Sequence, residues 1–328
     1  MKQELFEEKY RGGWQEFEAW LDRLDAGRSS EASAPRPAFD AAELPARYRR
    51  LCQHLALARD RAYSADLVER LNALVLRGHH LLYGASGERK ARLLAFVYGG
   101  FPRMVRAEAR LVGLAAALFL GPLLLLLVML QSHPDFVYYL INADAVAGME
   151  KMYSPGSARL GAREADTDVG MFGFYIWNNV KIGFQTFATG LVFGIGTVAF
   201  LLFNGVYIGA IAGHLTQIGY GEPFYSFVSG HSAFELTAIV LSGAAGLKLG
   251  GALLAPGQLT RSAALTAAAR AAAPLAYGAG LMFVAAAFVE AFWSPHRLVA
   301  PEAKYAIGIA LWVAVLAYFA VLGRQRGP

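Results

Sequence analysis

Residues 182–221 read IGFQTFATGLVFGIGTVAFLLFNGVYIGAIAGHLTQIGYG, a run of 40 residues with no Asp, Glu, Lys or Arg and with Asn204-Gly205 near its middle. The hydrocarbon core of a bilayer takes about 20 apolar residues per helix, so this run is long enough for two spans that fold back on each other at the asparagine-glycine pair. Working outward, residues 111–130 are also free of charge, and Arg103, Arg106 and Arg110 stand immediately before them. Basic residues in that position mark the cytoplasmic end of a span. Alternation from there predicts spans at 111–130, 182–203, 204–218, 224–247, 272–292 and 305–323, with both termini in the cytoplasm. Span three is short and could instead be a re-entrant or broken helix. The segment 131–170 has three basic residues (Lys151, Arg159, Arg163) against six acidic ones (Asp135, Asp144, Glu150, Glu164, Asp166, Asp168), as expected of the outer side. Lys248, Arg261 and Arg270 mark an inner loop, and Arg324 and Arg326 an inner end.

Composition agrees with a bilayer as solvent. Hydrophobic residues make up 56% of the chain and charged residues 17%, with the charges gathered outside the apolar blocks, a distribution foreign to soluble domains. The net charge of +5 would suggest nucleic acid in a soluble protein. Here the arginines lie mainly before the first span and at segment ends, so they read as topology signals and no nucleic-acid partner is expected. Cys52 is the only cysteine, which excludes an intrachain disulfide and a cysteine-rich metal cluster. Residues 1–10 are charged and lack the apolar core of a signal peptide, so the amino terminus is expected to stay inside.

Residues 1–110 read as a cytoplasmic, mostly helical domain ahead of a transmembrane domain, 111–328, whose outer loop is 131–181. Phe6, Tyr10, Trp14, Phe17, Leu21 and Leu24 recur at three- or four-residue steps, the spacing of one helix face. A Ser/Ala/Pro-rich linker follows at about 27–39, then amphipathic stretches at 44–61, 65–82 and 88–101. His79-His80 has no third ligand nearby and reads as an exposed or hydrogen-bonded pair. The fold class is therefore all-α: a polytopic bundle of about six spans with an N-terminal helical domain.

Glycines mark helix packing. Gly205, Gly209 and Gly213 fall four apart on one face of span three, and Gly190 and Gly194 do the same on span two. Small faces of this kind hold helices together in lipid, within the bundle or between two copies in a homo-oligomer.

The polar residues inside the apolar blocks are Asn178, Asn179, Asn204, His214, His231, Glu235 and Glu290. A charged carboxylate at the bilayer centre costs about 2.5–3.5 kcal/mol on insertion scales, so Glu235 must be protonated, paired, hydrated or bound to a cation. His231 precedes it by four residues, on the same helix face. Glu290, near the outer end of span five, could approach His231 if the ends of spans four and five are neighbours. With an asparagine oxygen or a water, His231, Glu235 and Glu290 could complete the shell of a zinc-like divalent cation. They could equally form a hydrogen-bonded network that fixes helix register. Asn178, Asn179 and Asn204 are the other candidate members of this network, and Asn178-Asn179 could instead cap span two. Neither a His-Glu-x-x-His pair nor any Asp after Asp168 is present, and Phe227 stands where a Gly-x-Ser-Gly motif would need glycine.

Several of these motifs, in order, resemble the stage II sporulation protein M family: Phe101-Pro102-Arg103, Asn178-Asn179, Asn204-Gly205 with its trailing glycines, the block from Gly230 to Ala238, Gly243 to Gly246, and Ala286 to Phe292. The resemblance covers roughly residues 90–295, and the His-x-x-x-Glu block with its glycine cluster is the most specific part. Where the family usually shows Pro-His-Gly, this chain has Gly230-His231-Ser232. The resemblance implies a bacterial inner-membrane protein rather than a known enzyme, one that anchors or recruits envelope or peptidoglycan-associated proteins. The founding member recruits two peptidoglycan hydrolases during engulfment, while relatives in bacteria that never sporulate have no settled role. A transporter or ion-binding protein using the His/Glu centre is the rival reading, and an intramembrane metal-dependent hydrolase a third.

Overall fold

The computed structural model describes residues 2–27, 43–156, 160–161 and 168–324. Beyond Gly27 the expected linker lies outside them, as do Arg159, Arg163, Glu164, Asp166 and Arg326. The chain divides into two compact units, Met1–Ala95 and Phe96–Pro328. Among the described residues every regular element is helical.

The first unit comprises α1 (Gln3–Gly27), α2 (Leu44–Asp60) and α3 (Ala65–Ala95). The periodic face of α1 is the buried one: Phe6, Trp14, Phe17, Trp20 and Leu21 pack with Leu51, Leu55 and Ala58 of α2 and with Leu67, Leu71 and Leu74 of α3. Arg47–Glu16, Arg70–Glu18 and Arg77–Asp22 pair at the rim of this core. As exposed ion pairs they orient the helices more than they stabilise them. His79 and His80 are exposed, and His79 Nδ1 lies 3.4 Å from the Tyr48 hydroxyl. The Trp14 indole N–H donates to His54 Nδ1 at 3.0 Å, so His54 is held neutral with its proton on Nε2.

The second unit opens with a π turn (Phe96–Gly100) and α4 (Phe101–Ala107), followed by α5 (Ala109–Ser132). A short turn leads to α6 (Val137–Leu140) and α7 (Ala143–Tyr153), then α8 (Asp168–Ala188), a 3-10 turn (Thr189–Leu191), α9 (Ile195–Gln217), α10 (Gly221–Leu254), α11 (Arg261–Phe292) and α12 (Pro301–Val321). Helices α5, α9, α10, α11 and α12 are long and apolar enough to cross a membrane. α8 packs on α10 and α11 as the sixth helix of the bundle, but Asp168, Lys181 and two asparagines make it more polar than the rest. α10 is the most deeply buried and touches α5, α8, α9, α11 and α12.

Two boundaries differ from the sequence reading. Residues 96–110, expected with the N-terminal domain, pack in the second unit. Phe101 lies so close over Gly278 that a Cβ there would sit 2.1 Å from its ring, and the Tyr318 hydroxyl donates to the Val97 carbonyl at 2.6 Å. The reversal expected at Asn204-Gly205 occurs instead at Thr189 to Gly194, where Phe193 and Gly194 both adopt positive φ, 50° and 80°. Asn204 sits inside α9, its amide donating to the Phe200 carbonyl at 2.7 Å, which satisfies it without breaking the helix. The charge-free run therefore holds the last third of α8, the turn and α9, rather than spans at 182–203 and 204–218.

Glycine faces set how closely the backbones meet. A Cβ at Gly205 would lie 2.2 Å from the Phe119 carbonyl oxygen of α5, and one at Gly209 would lie 2.5 Å from that of Leu123. Gly213 meets Leu126 and Leu130 in the same row. This face is filled by α5 of the same chain, so it is not the surface for a second copy. Gly190 and Gly194 do not share a face of a straight span; they form the turn, which presses on Gly246 and Gly250 of α10. Threonine hydroxyls take up carbonyls freed nearby: Thr197 donates to Thr186 O at 2.7 Å and Thr189 to Gln185 O at 2.6 Å.

Two outcomes follow from this packing. Gly209→Ala forces the α5 and α9 backbones apart and is expected to cost about 1–3 kcal/mol, as overpacking does. Gly113→Ala, where an added Cβ meets nothing within 4 Å, leaves stability unchanged or slightly raised; thermal unfolding of the detergent-purified variants compares them. For His54, burial is the main cause and the Arg50 charge the lesser one that push its pKa below 6.5. Because the folded value is the lower one, its contribution to stability is full above the unfolded pKa and fades as pH falls below about 6.5. Hydrogen exchange in α2 of the full-length protein, corrected for intrinsic rate, is expected to speed up between pH 7.5 and 5.5 in wild type and to change less in His54→Gln.

Candidate intramembrane polar centre

α10 runs past the centre of the bundle, and its four-residue repeat places His231 and Glu235 on one face. His231 is 3% exposed, and its Nε2 lies 3.6 Å from Glu235 Oε2. Glu290 arrives from the last turn of α11, and one ligand atom from each of the three residues falls within 4.8 Å of the other two. The proximity expected from the topology of spans four and five is realised.

The flanking groups orient this trio. His231 Nδ1 is 3.0 Å from the buried Ser294 hydroxyl, in the loop after α11. A proton on Nδ1, donated to Ser294, leaves the Nε2 lone pair facing Glu235. Asn179, 2% exposed in mid-α8, donates from Nδ2 to Glu290 Oε2 at 3.3 Å, and Asn178 donates to Asn179 Oδ1 at 3.1 Å. Both asparagines thus sit within the helix rather than at its start, so they are not a cap, and Asn179 joins the centre directly. Asn204 is tied to its own helix, and His214 pairs elsewhere, its Nε2 2.7 Å from Glu150 of α7.

Sequence reasoning missed Ser294, Trp293 and Lys304. Lys304 is 1% exposed in α12; its ammonium donates to the Ser294 carbonyl at 2.8 Å and lies 5.6 Å from the centre of the Trp293 ring. It stands one residue before the expected start of span six, where a lysine reads as a topology flank. The departure at Gly230-His231-Ser232 has a local meaning as well. A Cβ at Gly230 would fall 2.2 Å from the Trp293 ring, and the Ser232 hydroxyl accepts from Trp312 Nε1 at 3.1 Å, so both residues serve packing inside α10 rather than a helix entry.

Two carboxylates at 4.8 Å or less repel by at least roughly 3 kcal/mol at an effective dielectric of about 20. The arrangement therefore has two chemical outlets: one carboxyl keeps a proton, or a cation sits among the three donors.

Residues 4–84 match a domain of unknown function, DUF8413. Comparison with curated proteins and with solved structures finds no match. Residues 111–295, more than half of the chain, match the stage II sporulation protein M family, and they take in α8 to α11, which carry Asn179, His231, Glu235 and Glu290. With its apolar helices and this match, the chain is a membrane protein that belongs to the stage II sporulation protein M family.

Proposed function

We propose that this protein is an envelope platform in the bacterial inner membrane, anchoring or recruiting envelope partners, peptidoglycan-associated proteins among them, on its outer face. Both termini are cytoplasmic in this reading. The clustering of Arg103, Arg106, Arg110, Lys248 and Arg261 at one end of the bundle supports that orientation: Lys248 pairs with Glu108 beside the arginines, and Arg261 lies 6.0 Å from Phe193 in the turn.

The observation that carries the platform reading is the way residues 134–154, in the segment between α5 and α8, are fixed at the opposite end. His214 of α9 holds Glu150, Tyr153 meets Phe224 and Phe227 edge-on at 5.2 and 5.7 Å, and the Arg297 guanidinium donates to Ser154 O at 3.3 Å. From this pinned segment Phe136, Tyr138 and Tyr139 face outward, Tyr139 at 83% exposure. Exposed aromatics on such a support, two of them with a hydroxyl, make effective anchors for a protein partner. The backbone-to-backbone glycine contacts favour a fixed support over a pair of rocking halves. A second reading, cation binding, has the convergence of His231, Glu235 and Glu290 behind it and is compatible with the first.

A photocrosslinking amino acid at position 139 of the full-length protein, irradiated in cells, is expected to give a discrete adduct with another envelope protein. The same probe at Val313, an exposed position on apolar α12, should label lipid only. Adducts at 139 only with lipid, or only with a second copy of this chain, would overturn the platform reading.

A further inference from the structure

We propose that His231, Glu235 and Glu290 form a binding site for one divalent first-row transition cation of the zinc class, which ties α10 to α11 inside the bundle. The proposal goes beyond the platform role and does not depend on it. Three observations carry it.

The first is the separation of the donors. At 3.6 Å, His231 Nε2 and Glu235 Oε2 are too far apart for a hydrogen bond. Two ligands of a tetrahedral centre with bonds of about 2.0–2.1 Å stand about 3.4 Å apart, so the pair already approximates one edge of a coordination tetrahedron. Glu290 lies within 4.8 Å of both, which a small side-chain adjustment converts into the opposite vertex.

The second is the set of supporting hydrogen bonds. A metal-binding histidine usually engages its other ring nitrogen with an oxygen, and a metal-binding carboxylate is usually itself hydrogen-bonded. Here Ser294 Oγ stands at His231 Nδ1, and Asn179 donates to Glu290 while being held by Asn178. The ligand-facing atoms are thus oriented by supporting hydrogen bonds.

The third is charge and donor type. One imidazole and two carboxylates carry two negative charges, which a divalent cation neutralises. A mixed nitrogen and oxygen set suits zinc, manganese or iron(II) better than calcium or copper(I). Lys304 does not supply that charge to the carboxylates, because its ammonium is engaged by the Ser294 carbonyl and the Trp293 ring. Three protein donors leave the fourth position for water.

The test uses the full chain, purified in detergent, stripped with chelator and titrated with Zn2+ alone. Wild type is expected to bind one equivalent. Glu235→Gln, Glu290→Gln and His231→Ala should each weaken binding at least tenfold, and Asn179→Ala about 10–100-fold through the supporting bond. Glu222→Gln, in the first turn of α10, should leave it unchanged. Because a site variant can fail to fold, X-ray absorption at the zinc edge of the wild type gives an independent reading: one imidazole nitrogen with oxygen ligands at about 2.0–2.1 Å is expected. A wild type that binds no more Zn2+ than the His231→Ala/Glu235→Gln/Glu290→Gln triple variant, or a spectrum without an imidazole ligand, would overturn the site and leave a proton shared by the carboxyls.

Discussion

A polar group placed in hydrocarbon has to find its partner within the protein, and α10 is where that constraint is met. Because α10 is packed against five other helices, buried His231 and partly buried Ser232 and Glu235 meet Ser294, Trp312 and Glu290 from within the bundle. Enclosure on all sides demands a narrow helix. Gly230, Gly243, Gly246 and Gly250 supply it, each taking a ring, a leucine or a backbone where another residue would carry a Cβ. Polarity at one end of α10 and smallness along its length are two parts of one solution.

Lipid contributes no net drive for one helix to prefer another over an acyl tail, so the bundle depends on contact distance. The α5–α9 pair shows this best. Phe119 and Leu123 carbonyls rest directly on Gly205 and Gly209, and the Pro122 ring fills the space beside Gly205. Proline frees a carbonyl of its own helix from its usual donor, and the small facing residues allow α9 to cover that side. The two units also solve different problems: Met1–Ala95 buries a stripe of large aromatics, as water-facing helices do, whereas Phe96–Pro328 buries small residues and leaves many of its large ones, Leu125 and Phe203 among them, on the outside.

Much of this was legible in the chain because it follows from counting. Apolar length located the membrane helices, the three- and four-residue rhythm from Phe6 to Leu21 located the buried face of α1, and the four-residue step from His231 to Glu235 put both on one side of a helix. What stayed hidden depended on which of several equivalent signals the backbone would use. Asn204-Gly205 looks like a turn, yet the asparagine amide can bond back to Phe200. The true reversal has its own glycines at 190, 194 and 196 and needs positive φ at a phenylalanine, which no local preference announces. The extension of α8 back to Asp168 was obscured by Lys181, a charge at an exposed position of the helix. Ser294 and Lys304 gained meaning only once the loop after α11 folded over α10.

The short reversal between α8 and α9 bears on how the protein enters the bilayer. With an aspartate, a lysine and two asparagines, α8 is poorly suited to leave an insertion machinery by itself, but α9, more apolar although it carries Asn204 and His214, follows it after only a few residues. The hydroxyl of Thr197 reaching Thr186 closes the pair at its base. α8 and α9 thus stand as one hairpin, and the partners of α8's polar flank lie on α10 and α11, later in the chain.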